Sequence, residues 1–557
     1  MTRDRRAALV GLVAVAVIAA GLGVTTLLGG LGILPGGGSG PVVPHYLDET
    51  AAAGISHTYT GDVTYSTGGG VAVFDCNGDG RPDIFMAGGA NAATLYRDDS
   101  PTGGALRFTP LPSAATDLTG VTGAYPLDID GDGVTDLAVL RAGETVLLRG
   151  LGNCTFERAN EAWGIDGGNA LTESFSATWE GPNAWPTLAF GRYVGIDPKG
   201  GVTQDCGANV LLRPSAADAS RLYAAPIDLA PAYCPLSALF SSWDGSGRAD
   251  PRLANDRHYY IGGSEQLWRV ASGEAPRLYT AADGWANLQL NGMGIAAYDL
   301  TGDGLPEYFV TSQADDKLQT LANGTAQPAF KDIALARGVT AARPSTGGDV
   351  LPSTSWHPEF ADVNNDGRVD LLITKGNVMS EPDFATKDPS DLFLQNADGT
   401  FTDAVEAAGI VAFDRGRGAA LADFNLDGQL DLVEVFYAGP AKVWRNAGAG
   451  DATAAKPMGH WLALRVTEPA PNTDAIGATL EVQADGATQR RELTVGGGHA
   501  GGQIGWVHVG LGASTTAQVR IHWPDGSTSA WLPVAADTFD LVAKGAAAVT
   551  PWTPAAP

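Results

Sequence analysis

Positive charge, cysteine and histidine are all scarce in this chain. Its 35 lysines and arginines face 62 acids, for a formal net charge of -27. After Arg3, Arg5 and Arg6 no basic run offsets the acids, so nucleic-acid phosphates and anionic lipid headgroups would be repelled. Nucleic acid is excluded as a partner, and cations are the natural ones. Only four cysteines occur, Cys76, Cys154, Cys206 and Cys234, and none has zinc spacing. In an oxidising compartment they allow two disulfides in three pairings, with Cys206–Cys234 the favoured local pair. The histidines form no H-x-x-x-H pair, and there is neither a G-x-S-x-G elbow nor a Cys–His signature. Nothing in the sequence demands an enzyme.

What the chain does have is 557 residues, 44% hydrophobic, with 74 glycines and 33 prolines. That is enough for more than one core and favours tight turns over long helices. The uncharged run from Ala7 to Leu34 exceeds the ~20 residues a helix needs to cross a bilayer. It is read as a retained anchor with the arginines on the cytoplasmic side, a cleaved signal peptide being the alternative. The stretch from Pro35 to Pro41 reads as a flexible tether, and 1–45 as anchor plus linker. Everything after it is exported, at the cell surface or, after cleavage, secreted.

An acidic nonapeptide recurs: "DCNGDGRPD" (Asp75 to Asp83), "DIDGDGVTD" (Asp128 to Asp136), "DLTGDGLPE" (Asp299 to Glu307), "DVNNDGRVD" (Asp362 to Asp370) and "DFNLDGQLD" (Asp423 to Asp431). A weakened copy, "SWDGSGRAD", runs from Ser242 to Asp250. Short apolar runs such as "GVAVF" and "IFMAG" flank each loop and read as strands, so every loop tops a β-hairpin. A second unit trails the hairpins, as in "FERANEAWGI", "FKDIALARGV" and "FTDAVEAAGI". It also occurs at Tyr46 to Ile55, before any loop, and is missing after the last one. The first segment is therefore expected to supply the outer strand that the last unit lacks, closing the array into a ring. Loops recur about every 50–63 residues, and the double-length gap after Asp128 holds a strand–turn–strand unit at Ser176 to Val194 without acids. Seven four-stranded units in a ring predict an all-β seven-bladed β-propeller over 46–450.

Calcium takes ~6–8 oxygen ligands, and carboxylates alternating with glycines let a short loop wrap one. The expected ligands are places one, three, five and nine, with the carbonyl of place seven and water. They are Asp75, Asn77, Asp79, Arg81 and Asp83; Asp128, Asp130, Asp132, Val134 and Asp136; Asp299, Thr301, Asp303, Leu305 and Glu307; Asp362, Asn364, Asp366, Arg368 and Asp370; and Asp423, Asn425, Asp427, Gln429 and Asp431. These give about five Ca2+ sites. A sixth, on Asp244 and Asp250, is doubtful because Ser242 and Ser246 replace acids. An EF-hand is excluded, since place twelve of the Asp128 loop is Val139 inside an apolar strand.

These D-x-[DN]-x-D-G-x-x-[DE] loops between strands resemble the FG-GAP/VCBS repeats of integrin-α-like propellers. Beyond them "GHWLALRV", "NTDAIGATLEV", "HVGLG" and "VRIHWPDGS" resemble the ASPIC/UnbV domain, and the combination is similar to the cartilage acidic protein family. The resemblance implies calcium-binding, extracellular, non-catalytic interaction proteins. The chain departs from that pattern at "HAGGQIGW", His499 to Trp506, where relatives tend to be richer in hydroxyls.

The ASPIC-like segment, 457–545, also reads on its own as a small all-β domain, with "WLALRV" and "QVRIHW" as half-buried strands and 546–557 as a flexible tail. Its glycines, Gly496 to Gly498, Gly501 and Gly502, lack the strand–Gly–helix context of a phosphate loop and read as a plain loop. Most units carry glycine five residues before the first ligand, at Gly70, Gly123, Gly294 and Gly418; one carries His357. Trp356, His357, Glu359, Arg415 and Arg417 are the best ligand-pocket candidates, near one channel mouth. His258, Tyr259 and Tyr260, following Asp256 and Arg257, read as an ion-paired turn, with an aromatic ledge for sugar as the alternative. The reading that follows is a calcium-binding extracytoplasmic scaffold for a protein or glycan partner, acting in adhesion. The alternative is a calcium-dependent lyase or hydrolase acting on polysaccharide in the channel.

Overall fold

Alternating apolar residues between turn-forming glycines produce a series of short antiparallel strands, each feeding the next through a tight turn. A computed structural model describes residues 40–181, 183–197, 199, 201–215, 222–256, 262–286 and 288–554. The chain divides into Met1–Val42, of which only 40–42 are described, and the compact unit Val43–Pro557. The expected anchor and the His258–Tyr260 ledge lie outside the described residues. No helix among the described residues is long and apolar enough to cross a membrane.

Small, mainly antiparallel sheets follow one another along the chain, four of them four-stranded, one six-stranded and one eight-stranded. Their innermost strands are β1 (Val71–Phe74); β2 (Val121–Leu127) and β3 (Ala170–Thr178), which share the eight-stranded sheet; β4 (Pro235–Ser241); β5 (Gly292–Tyr298); β6 (Ser355–Ala361); and β7 (Arg415–Ala422). Each pairs antiparallel with the strand after its loop, for example Phe74 with Asp83 and Leu127 with Asp136. Consecutive innermost strands lie side by side, and β7 lies against β1, so the sheets form a closed ring. Closure also occurs at the rim. Tyr46–Asp48 pairs with Lys442–Asn446, with Tyr46 opposite Asn446, which is the outer strand the sequence assigns to this segment.

The trailing units are an outer strand followed by one helical turn. Phe401–Asp403 leads into Val405–Ala408, which ends on Gly409 at φ 85°, a left-handed cap that a side chain would strain. This accounts for the recurring Gly-Ile. Between sheets, side chains such as Phe85, Phe175 and Trp444 are fully or nearly fully buried, each contributing roughly 2 kcal/mol of apolar burial. Two disulfides, Cys76–Cys154 and Cys206–Cys234, use all four cysteines.

The C-terminal region is two four-stranded sheets. One joins β8 (His460–Thr467), β9 (Val507–Gly512), β10 (Thr538–Ala543) and β11 (Thr550–Trp552); the other joins β12 (Thr479–Ala484), β13 (Ala487–Glu492), β14 (Thr516–His522) and β15 (Leu532–Ala535). Leu464, Val482, Val519 and Ile521 belong to the core they share. The segment after 545 is not simply a free tail: β11 pairs with β10, Trp552 opposite Phe539.

Candidate metal loops and the plugged channel

All the acidic loops fold alike. The side chain of place one accepts the N–H of place six: Gly80 to Asp75 and Gly133 to Asp128 at 2.9 Å, Gly304 to Asp299 at 2.9 Å, Gly367 to Asp362 at 2.8 Å and Gly428 to Asp423 at 2.7 Å. Place five accepts from place seven, as Val134 donates to Asp132 at 2.9 Å. Place nine turns back to place two: Cys76 donates to Asp83 and Ile129 to Asp136, both at 2.8 Å, and Leu300 to Glu307 at 2.8 Å. The positive φ of Gly131, 73°, and of Gly133, 86°, permits the tight wrap.

In one loop this geometry turns three carboxylates toward one point. In the Asp128 loop, ligand atoms of Asp128, Asp130 and Asp136 lie within 4.8 Å of one another. Arg149 pairs with Asp130 at 2.6 Å and Asp132 at 2.7 Å, offsetting part of that charge from outside. Burial, reinforced by neighbouring carboxylates, raises the Asp136 carboxyl to about 8 and Asp128 to about 6. Asp370, Asp423 and Asp431 are pushed up for the same reasons. In the Asp423 loop the buried Asn425 gives its Nδ2 to Gly104 O and Asp427, while its Oδ1 has no partner among the described residues. A hard cation suits such an all-oxygen set.

The weakened loop keeps the shape, with Gly247 donating to Ser242 Oγ at 3.0 Å. Here the seventh-place Arg248 reaches between Asp244, at 3.4 Å, and Asp250, at 3.0 Å, so a built-in cation meets the two acids.

The C-terminal domain sits on the face that bears these loops. Arg465 approaches Asp75 at 3.5 Å and Arg490 approaches Asp299 at 3.5 Å. Asp474 accepts the Asp128 N–H at 3.0 Å, Glu492 accepts the Ser242 N–H at 3.0 Å, and His508 Nε2 lies 2.6 Å from Asn365 Oδ1. Loop glycines make room for large side chains: a Cβ on Gly80 would fall 2.2 Å from Trp552, and one on Gly428 1.9 Å from Trp461.

The glycine-rich segment expected to be a plain loop is instead threaded through the ring. From Val495 to Gln503 it bridges the inner strands in turn, pairing Val495 with Ala177, Gly496 with Leu239, Gly498 with Ile295, Gly501 with Ala124 and Gln503 with Val73. Gly497 donates to Ala238 O and Gly498 to Ile295 O, both at 2.7 Å, and Ala124 donates to Ala500 O at 3.1 Å. At the tip, His499 is fully buried, its Nε2 2.6 Å from Thr67 O, and burial holds its imidazole down near 3, hence neutral. The plug explains two of the glycines five places ahead of the ligands, and close packing against the neighbouring inner strand explains Gly294. A Cβ on Gly70 or Gly123 would lie 1.8 Å from Ala500 O, and one on Gly294 2.3 Å from Trp356 O.

The proposed pocket residues separate. His357 Nδ1 accepts the His499 N–H at 3.0 Å, which puts its proton on Nε2, 3.6 Å from Glu359. Glu359 accepts from Leu421 N at 3.1 Å and from Gln503 Nε2 at 2.6 Å. Those two line a cavity of about 100 Å³ beside the plug. Trp356 and Arg417 are fully buried behind it, the guanidinium 3.9 Å over the indole. Arg415 is half-buried and stacks on Tyr437. Sequence reasoning missed the plug because its partners lie hundreds of residues away; the only trace was the glycine pattern.

Comparison with known proteins agrees with both repeats. The FG-GAP-like repeat family matches residues 75–139 and 299–373, and the ASPIC and UnbV family matches 468–549. Cartilage acidic protein 1 of Mus musculus is 27% identical over 229 residues, 37% of this chain and 31% of that protein; the Homo sapiens protein is 27% identical over 223 residues, 36% and 30%. The matched region thus spans about a third of the length of these curated relatives. Among solved structures, an Agrocybe aegerita lectin that recognises non-reducing terminal N-acetylglucosamine aligns at TM-score 0.38 with 15% identity, covering 67% of this chain and 93% of its own. Saccharomyces cerevisiae Sqt1 aligns at 0.36 with 12% identity, covering 73% and 99%.

Proposed function

We propose that the chain is a non-catalytic extracytoplasmic scaffold: a seven-bladed propeller rigidified by calcium, capped on its acidic face by the C-terminal domain, and presenting its other face to a protein or glycan partner in adhesion. The observation that carries this reading is the shared loop geometry, with Asp128, Asp130 and Asp136 converging within 4.8 Å. The orphaned Oδ1 of Asn425 supports it, since an unpaired buried oxygen costs about 1–3 kcal/mol unless something meets it. The ligand sets are the five strong loops, and Arg248 leaves the Asp244 and Asp250 copy without metal. Bound calcium would supply the positive charge that lets each acidic tip stay ionised against the cap.

The cap leaves the opposite end for recognition. Val63, Val350, Leu351 and Phe413 are exposed in connections leading into the innermost strands, away from the loops. The Ala7–Leu34 run would tether the scaffold to the membrane. The enzyme alternative loses its channel to the plug, and both His357 nitrogens face groups of the protein itself.

Two outcomes test the metal reading. Asp136→Asn should remove one bound ion and lower the denaturation midpoint by an amount worth about 1–3 kcal/mol, read by equilibrium unfolding in calcium. In chelator, groups raised in the folded state bind more protons there than in the unfolded chain, so stability should fall as pH rises from about 4 through the values of Asp128, near 6, and Asp136, near 8. Saturating calcium should flatten that profile. Melting curves identical with and without calcium at pH 8 would contradict the reading.

A further inference from the structure

Along the junction of ring and C-terminal domain lie three cavities of about 130, 100 and 640 Å³, and all three are lined by Arg491 and Thr494. The largest has the size of small-molecule sites, roughly 300–1,000 Å³. Its other charged groups are already met. Arg490 pairs with Glu481 at 2.6 Å and with Asp299 at 3.5 Å. Glu481 is also held by Arg520 and lies 3.0 Å from His522. Asp525 pairs with Lys544 at 2.9 Å, and Glu492 accepts the Ser242 N–H at 3.0 Å.

Arg491 differs from these groups. The residue is half-buried, with Tyr298 and His508 in electrostatic range, yet among the described residues its guanidinium makes no hydrogen bond or ion pair, and the hydroxyl of Thr494, which lines the same cavities, makes none either. Five N–H donors in a rigid planar fork, partly withdrawn from water, favour a bidentate oxyanion over a spherical ion. A charge held in a cleft without a partner costs free energy until one arrives.

We infer that this cleft is a binding site for a compact oxyanion, a carboxylate or a tetrahedral sulfate or phosphate group, seated on Arg491 and Thr494. The volume admits the group as part of a larger molecule such as an acidic sugar. Neither residue belongs to an acidic loop, but the cavity borders one, with Asp299, Gly304 and Leu305 in its lining, and the ligand has the opposite charge to a calcium ion.

The test titrates the full chain at fixed ionic strength and fixed free calcium with sodium acetate, sodium glucuronate and sodium sulfate, against sodium chloride. At least one should raise the melting temperature by about 2 °C at about 10 mM. Arg491→Met should abolish the rise, and Arg491→Lys should keep part of it. A response to glucuronate alone assigns a carboxylated sugar, and one to sulfate a tetrahedral group. Absence of any shift, or the same shift in Arg491→Met, overturns the assignment. If Arg491→Met does not fold, wild-type crystals grown with the active probe decide: density beside Arg491 supports the site, and density only elsewhere refutes it.

Discussion

Gly123→Val should unseat the C-terminal domain. The new side chain would begin 1.8 Å from Ala500 O, where the plug hydrogen-bonds the ring, and the contact is backbone, which has nowhere to go. Overpacking of this kind costs about 1–3 kcal/mol, and here the upper end is expected, because relief requires withdrawing the whole segment from Val495 to Gln503. Limited proteolysis should then cut within that segment, whereas the wild type should resist cleavage there. Gly78→Ala is the reference. Its φ of 78° makes any side chain strained, but nothing lies within 4 Å, so it should cost only about 1 kcal/mol and leave the proteolytic pattern unchanged. Equal effects from the two variants would mean that the channel is not held shut by the plug.

Arg417→Met should be as damaging, for an electrostatic reason. The fully buried guanidinium donates to five backbone carbonyls, those of Ser66, Gly376, Gly416, Asn377 and Val378, at 2.7–3.4 Å. Ser66 precedes β1 and Gly376 follows the strand paired with β6, so one side chain ties the two flanks of the ring's closing sheet. Losing it strands buried acceptors, at an expected cost of about 3–5 kcal/mol in equilibrium unfolding. Arg417→Lys should recover only part, since an ammonium has three donors and no planar fork. Arg415→Met, at a half-buried site where the guanidinium donates to the Met379 carbonyl and stacks on Tyr437, should cost about 1 kcal/mol.

Much of the fold was legible because its signals are local. Strand, acidic turn and strand fall within about twenty residues, and the offset of the Tyr46 unit announced the rim pairing with Lys442–Asn446. Cys206–Cys234 followed from proximity in the chain, whereas Cys76–Cys154 joins neighbouring sheets and had no local cue. The glycine series at Gly70, Gly123, Gly294 and Gly418 was visible but mute. Its cause for the first two is the backbone of Ala500, brought in from another domain. Arg248 likewise reads as an ordinary loop residue until its guanidinium is found between two acids. His357 looked like a channel-lining group because the pattern placed it there; that the channel is filled was written only in the glycines of another domain.

The central claim is that acidic hairpin tips hold calcium beneath the C-terminal domain. Native mass spectrometry of the full chain in calcium counts the ions directly. Five are expected, falling to four in Asp136→Asn and remaining at five in Asp244→Asn. A wild-type chain that carries no calcium, or a count unchanged by Asp136→Asn, would contradict it.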